Sequence, residues 1–282
     1  MEFVGAFLAK QPDHSHPEVN DLERANCPFA YVTLLTDDSY FPGVSVLAKS
    51  LKATRTIYPF VLMLGVDVSQ ATEIRLKAMC DLTIRVSNIA CPYASVSSTQ
   101  PSSSSSSSSS GSCWENAELT KLHIWNLTQY RKLVYLDADT LVMENIDELF
   151  TITGSFAAAP DIFPPDKFNA AVMVIEPSET TFQAMMAGIG VLPSHDGADT
   201  GFLNSFFPHW FSGPAECRLP FGYNAQRTLH WFTYDKQPGY WQSIKPLKVI
   251  HYCSSPKPWK VNPTEGQMGE LEWIWWRCNM GI

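Results

Sequence analysis

The sequence predicts an α/β protein whose mostly parallel central sheet is flanked by helices. Three observations carry that expectation. Apolar, β-branched runs alternate with helix-spaced segments along the first half of the chain, the order that builds strand–helix–strand crossovers. The runs are continuous rather than alternately polar, as in strands covered on both faces. With 45% hydrophobic and 17% charged residues over 282 positions, the chain can bury a sizeable core, so global disorder is excluded.

Residues 1–28 combine prolines and charges without any period and are expected to form an arm outside the fold. AYVTLLT, from Ala30 to Thr36, is the first strand, and GVSVLAKSLKAT has helical spacing. PFVLMLGVDV (Pro59 to Val68) is a second strand, and SQATEIRLKAMC follows as a helix that Ser69 can cap. DLTIRV (Asp81 to Val86) is a third strand. Residues 95–112 are a Ser-rich insertion with nine consecutive serines, Ser102 to Ser110, expected to be a flexible loop. ELTKLHIWNLTQY then reads as a helix and KLVYLDADTLV as a strand. A smaller αβ region runs from Ile146 to about Phe207, after which the chain becomes rich in Trp and Pro. One domain over 29–262 is expected, followed by an aromatic tail over 263–282. In that tail, ELEWIWWRC is either a sugar-stacking platform or a helix that packs through Trp273 and Trp276.

Charge and cysteine usage narrow the class. Twenty basic against 28 acidic residues give a net charge of −8, so nucleic acid or an anionic membrane is not the main partner. Seven scattered cysteines without a CxxC pair argue against a disulfide framework or a zinc cage. No run approaches the roughly 20 apolar residues of a membrane span, and the N-terminus lacks signal-peptide features. A soluble, cytoplasmic protein is expected.

Three segments carry chemistry. In LVYLDADTLV, Asp137 and Asp139 stand where a buried strand ends, the place where open α/β sheets bind ligands. On extended backbone, carboxylates at i and i+2 point the same way and converge on an oxygen-liking cation such as Mg²⁺ or Mn²⁺. In SHDGADTGFLNSFF, Asp196 and Asp199 form an acidic turn before a helical stretch, as ligand groups or simply as helix caps. In KVIHYCSSPKPW, His251 ends a strand and could complete a cation site, while Lys257 is a point charge suited to phosphate. No P-loop GxxxxGK[ST] is present. The haloacid-dehalogenase phosphatase pattern DxDx[TV] is broken by Leu141, although a Mg²⁺-dependent phosphatase remains a rival reading.

These pieces, with AYVTLLTDDSY and FNAAVMVIEPS, occur in the order found in retaining glycosyltransferases of family 8, and from about Ala30 to Lys260 the chain resembles the glycogenin-like branch. That branch includes glycogenins, galactinol synthases and plant glucuronosyltransferases. The resemblance implies a GT-A nucleotide-sugar-binding domain and a metal-dependent hexosyl transfer from a UDP-sugar, with Mn²⁺ or Mg²⁺ as cofactor. A carbohydrate, polyol or protein would be the acceptor, and a homodimer would be compatible. Leu34, Thr36, Asp37 and Tyr40 would line the uracil and ribose pocket, and Asp137, Ala138 and Asp139 would follow the donor diphosphate. Asp137, Asp139 and His251 would hold the metal. Lys121 would face the donor phosphates, Lys257 and the Ser254 backbone the leaving diphosphate. Asn169 and Ala170 would edge the sugar pocket, with Asp196, Asp199 and Thr200 near the reacting face.

The chain departs from the family pattern at several of these positions. Asp37 stands where the family usually has Asn, Thr200 where it has Gln, and Ser254 and Ala171 where it has Gly, the family's Asn-Ser-Gly being written Asn169-Ala170-Ala171 here. Those departures motivate a second reading, a non-catalytic sugar-nucleotide binder or scaffold. Retention of configuration is compatible with Asp199 as a nucleophile or with attack on the same face as the departing diphosphate.

Overall fold

The computed structural model describes residues 24, 26–93, 118–261 and 269–282. The serine tract and nearly all of the expected N-terminal arm lie outside the described residues.

In chain order, the strands are β1 (Phe29–Asp37), β2 (Phe60–Asp67), β3 (Leu82–Arg85), β4 (Lys132–Leu136), β5 (Thr140–Val142), β6 (Phe156–Pro160), β7 (Phe168–Ile175), β8 (Ala225–Gln226) and β9 (Val249–His251). The α-helices are α1 (Phe41–Ala53), α2 (Gln70–Lys77), α3 (Glu179–Gly188), α4 (Asp199–Phe206), α5 (Arg227–Thr233), α6 (Gly239–Gln242) and α7 (Glu270–Met280). The main sheet has the order β3-β2-β1-β4-β7-β6. Its first four strands pair in parallel, and β7 and β6 join antiparallel. The sheet is therefore mostly parallel, as the uninterrupted apolar runs of β1, β2 and β4 require. Alternation along β1 feeds both faces. Ala30, Val32 and Leu34 enter one core with Leu122, Trp125 and Met173, while Tyr31 packs on the other with Leu47, Val134 and Leu136. Ser69 caps α2 as expected, its hydroxyl accepting the Thr72 N–H at 3.2 Å.

Three elements differ from the sequence reading. KLVYLDADTLV is two strands rather than one. The Asp137 N–H makes a last bond to the Ala171 carbonyl of β7 at 2.8 Å, and the Thr140 N–H then returns to the Asp137 carbonyl at 3.0 Å. That tight turn carries the chain out of the main sheet into a second one, ordered β5-β9-β8. Glu118–Asn126 winds as a 3₁₀ helix rather than an α-helix. Its apolar residues recur every three positions, and a 3₁₀ turn stacks i over i+3, so Leu119, Leu122 and Trp125 are all buried together. In the tail, α7 packs through Leu271 and Trp275, which are buried, whereas Trp273 is 47% exposed. Trp276 is only partly buried against the same cluster.

Candidate active site

The turn at the end of β4 organises the site. Gly43 of α1 lies so close that a Cβ there would meet the Ala138 carbonyl oxygen at 2.4 Å, so only glycine lets the helix back onto the turn. The turn also separates the two aspartates, whose convergence therefore does not come from extended backbone. Asp137 accepts from the Tyr135 hydroxyl at 2.7 Å and lies 3.0 Å from Lys121 Nζ. Asp139 accepts from Lys257 Nζ at 2.5 Å and lies 3.5 Å from His251 Nε2. Register across the second sheet supplies the histidine: Thr140 pairs with His251, and the Tyr252 N–H bonds the Asp139 carbonyl at 2.9 Å.

One ligand atom from each of Asp137, Asp139 and His251 lies within 4.8 Å of the others. His251 is buried, and its Nδ1 has no hydrogen-bond partner among the described residues. Such an orphan costs free energy unless something binds there. Burial holds the His251 imidazole below its ordinary range, so it is neutral and able to ligate. Burial works to raise the Asp139 carboxyl, but His251, once protonated in acid, and Lys257 outweigh it and hold the carboxyl below the usual range. Two oxygen donors and one neutral imidazole fit a divalent cation such as Mn²⁺ or Mg²⁺.

A second charged cluster adjoins the first. Lys121, buried, reaches Asp137, the carboxylate of Asp199 and, at 3.3 Å, the Ala170 carbonyl. Burial opposes its charge, yet Asp137 and Asp199 raise its pKa above the ordinary lysine range. Burial also pushes the Asp199 carboxyl up, against the opposing pull of Lys121. Here one cation serves two carboxylates.

An open cavity joins these groups, lined by Leu34, Thr36 and Tyr40 from the end of β1 together with Ala138, Asp137, Asp139, Lys121 and Asp199. Burial, partly offset by Lys257, pushes the Tyr40 hydroxyl up to about 12, and its ring packs edge-on against Trp259 at 5.0 Å. Glu118 and Tyr135 also line the cavity, and the sequence reading missed both. The signals were available. Glu118 lies three residues before Lys121, a spacing that shares one face of a helix, and Tyr135 lies two residues before Asp137 on the same strand face.

Other expected site residues sit outside that lining. Asp37 accepts the Ser39 N–H at 2.7 Å, capping the short 3₁₀ turn after β1. Asp196 accepts from the Ala198 and Gly201 N–H groups at 2.9 and 2.8 Å, the cap role open to it from the sequence. The Thr200 hydroxyl accepts the Ala170 N–H at 3.3 Å, while Asn169 bridges Asp161 and Asn224. Asn169, Ala170 and Thr200 thus form connected structure behind Lys121. Lys257 lies over the Tyr40 ring as well as on Asp139.

Ser254 has φ +71°, the left-handed region in which a side chain costs roughly 1 kcal/mol relative to glycine. The Thr228 hydroxyl, 3.1 Å from Ser254 Oγ, offsets part of that cost. Ser254→Gly should therefore stabilise the fold modestly, by about 0.5 kcal/mol and 1–2 °C in Tm. A calorimetric scan in which Tm falls would refute this.

Comparison with known proteins agrees with the geometry. The profile of glycosyl transferase family 8 matches residues 31–262. Human glycogenin-2 is 38% identical over 244 residues, covering 86% of this chain and 46% of that protein. Glycogenin-1 of Caenorhabditis elegans is 37% identical over 230 residues, covering 82% and 50%. The chain thus spans about half the length of these curated relatives. Among solved structures, galactosyltransferase LgtC in complex with donor and acceptor sugar analogs superposes with a TM-score of 0.61 at 18% identity. That match covers 89% of this chain and 96% of LgtC and shows a shared GT-A fold.

Proposed function

We infer the reaction from one premise: this chain belongs to glycosyltransferase family 8 and has the GT-A fold. The reading it supports best is a metal-dependent, retaining transfer of a hexosyl group from a UDP-sugar to a carbohydrate, polyol or protein hydroxyl. UDP-glucose and UDP-galactose are the first candidates for donor, and the cytoplasm is the proposed compartment. The observation that carries this reading is the Asp137–Asp139–His251 cluster at the carboxyl end of β4.

In this reading those three side chains hold Mn²⁺ or Mg²⁺, which when bound supplies Lewis-acid charge to the leaving diphosphate. Lys257, already seated beside Asp139, brings a second cation to the same leaving group. Leu34, Thr36 and Tyr40 receive the nucleoside at the end of β1. Lys121 fixes Asp199 at the sugar side of the cleft and sits between that carboxylate and Asp137. Membership of the family disfavours the phosphatase reading, and in the reading proposed here the aspartates serve as ligands and not as a nucleophile.

The test is UDP release with Mn²⁺ from UDP-glucose, UDP-galactose, UDP-glucuronate and UDP-N-acetylglucosamine. Release is expected with one of them and should disappear with a chelator and in the Asp137→Ala and His251→Ala proteins. UDP bound with Mn²⁺ but never released from a donor would support the non-catalytic binder. Failure to bind UDP at all would sink the transferase reading.

A further inference from the structure

Behind the cleft, Arg227 opens α5 and is fully buried. Its Nη2 lies 3.0 Å from the carbonyl oxygens of Cys253, Ser254 and Pro256. Its Nη1 donates to Glu272 of α7 at 2.8 Å, and the guanidinium lies 4.0 Å from the centre of the Trp231 ring. All three carbonyls belong to the segment that joins His251 to Lys257. Thr228, next in sequence, adds the hydroxyl contact to Ser254. A buried, fully charged guanidinium is costly unless paired, and its planar fork can serve a carboxylate and a set of carbonyls together, which a lysine cannot.

We propose that Arg227, oriented by Glu272, is a positioning residue that holds segment 253–257 in the shape that presents Lys257 to the diphosphate of a nucleoside-diphosphate donor. The claim rests on the transferase reading and adds a device to it. The segment is set before any ligand arrives, and the C-terminal helix α7 is part of what sets it. Three observations support this. Ser254 occupies a left-handed conformation that the surrounding bonds must hold. Lys257 Nζ bonds the Tyr252 carbonyl at 3.0 Å as well as Asp139, so both ends of the segment are fixed from inside. The Tyr252 hydroxyl donates to the Leu271 carbonyl at 2.6 Å, a second tie from this segment to α7.

Arg227→Lys separates the two jobs, since it keeps a cation for Glu272 and removes the fork. Amide exchange between Cys253 and Lys257 in the ligand-free protein should quicken by about tenfold or more. UDP affinity in the presence of Mn²⁺ should weaken by about tenfold, with donor KM rising in step and kcat falling as well, because Lys257 serves the leaving diphosphate. Mn²⁺ affinity without nucleotide should stay within about twofold, because the ligand cluster is untouched. Arg227→Lys combined with Lys257→Ala should bind UDP no more weakly than Lys257→Ala alone. A purely structural role would lower the active fraction without moving KM or producing this non-additivity. If Arg227→Lys does not fold, Glu272→Gln, which leaves Arg227 and its packing in place, is read in the same assays. Faster exchange with unchanged UDP affinity, or additive losses in the double variant, would overturn the proposal while leaving the transferase reading standing. Failure of the unmodified protein to bind UDP would overturn both.

Discussion

Asp139→Asn should lower UDP-sugar turnover by on the order of a thousandfold, about 4 kcal/mol of lost transition-state stabilisation. The carboxylate has three dependants. It is one of the three groups that can hold the cation, it is the anionic partner of Lys257 at 2.5 Å, and it faces His251 at 3.5 Å. An amide of the same shape keeps the packing but withdraws the charge from all of them. Cation affinity should fall with activity, and electron paramagnetic resonance of Mn²⁺ titrated into the two proteins measures that directly. The metal-free variant should also be less stable, because Lys257 loses its partner while remaining mostly buried. The pH dependence has a defined sign. The folded carboxyl lies below its ordinary value, so its contribution is present above the unfolded pKa of about 3.9 and is lost as pH falls through the folded value. The stability deficit of Asp139→Asn should therefore be full at pH 7 and shrink in acid. Turnover within tenfold of the unmodified protein would refute the role of Asp139.

How much of this site could be read from sequence follows from which distances are local. Asp137 and Asp139 were legible because a buried run that ends in polar residues marks a strand terminus, and open sheets bind ligands there. What the pattern hid was the turn between them. Period-2 reasoning assumes extended backbone, and only the hydrogen bond from Thr140 back to Asp137 shows that the chain leaves one sheet for another at this point. His251 stands out in the sequence as a strand end, but its arrival beside Asp139 depends on an antiparallel register 111 residues long in sequence separation, from Thr140 to His251. The pairing of Lys121 with Asp199 is likewise invisible locally, since each residue alone has an ordinary role on a helix. Asp37 and Asp196 show the opposite case. A carboxylate beside a turn or helix start caps it by default, and both do so here, at Ser39 and Gly201. Arg227 carries no sequence signal at all, because a lone arginine at the start of a short helix reads as surface until its burial is seen.

Lys121 is where removal should cost most in stability. Lys121→Met fits the same volume and keeps the stem against Tyr135, whose ring centre lies 5.0 Å from Nζ, but it leaves Asp137 and Asp199 facing each other without a cation. Breaking a buried ion pair from one side typically costs about 3–5 kcal/mol, and here the two side chains left behind are only 27% and 16% exposed. Urea unfolding at pH 7 should show a loss in that range. Part of the loss would be relieved by protonation, because burial already pushes the Asp199 carboxyl up and loss of Lys121 removes the group that opposes this. A carboxyl whose folded pKa is raised contributes stability that is full below the unfolded value of about 3.9 and is lost as pH rises through the folded value. The deficit of Lys121→Met should accordingly be largest at neutral pH and smaller in acid, opposite in origin to Asp139→Asn yet similar in its pH trend. The two are separated by a second substitution. Asp199→Asn in the Lys121→Met background removes the uncompensated charge and should recover at least about 2 kcal/mol, whereas it leaves Asp139→Asn unrescued because the Asp139 carboxylate has different partners. A single-variant loss below about 1 kcal/mol, or no recovery in the double variant, would mean that water already screens the pair and that Lys121 is not the keystone of the two carboxylates.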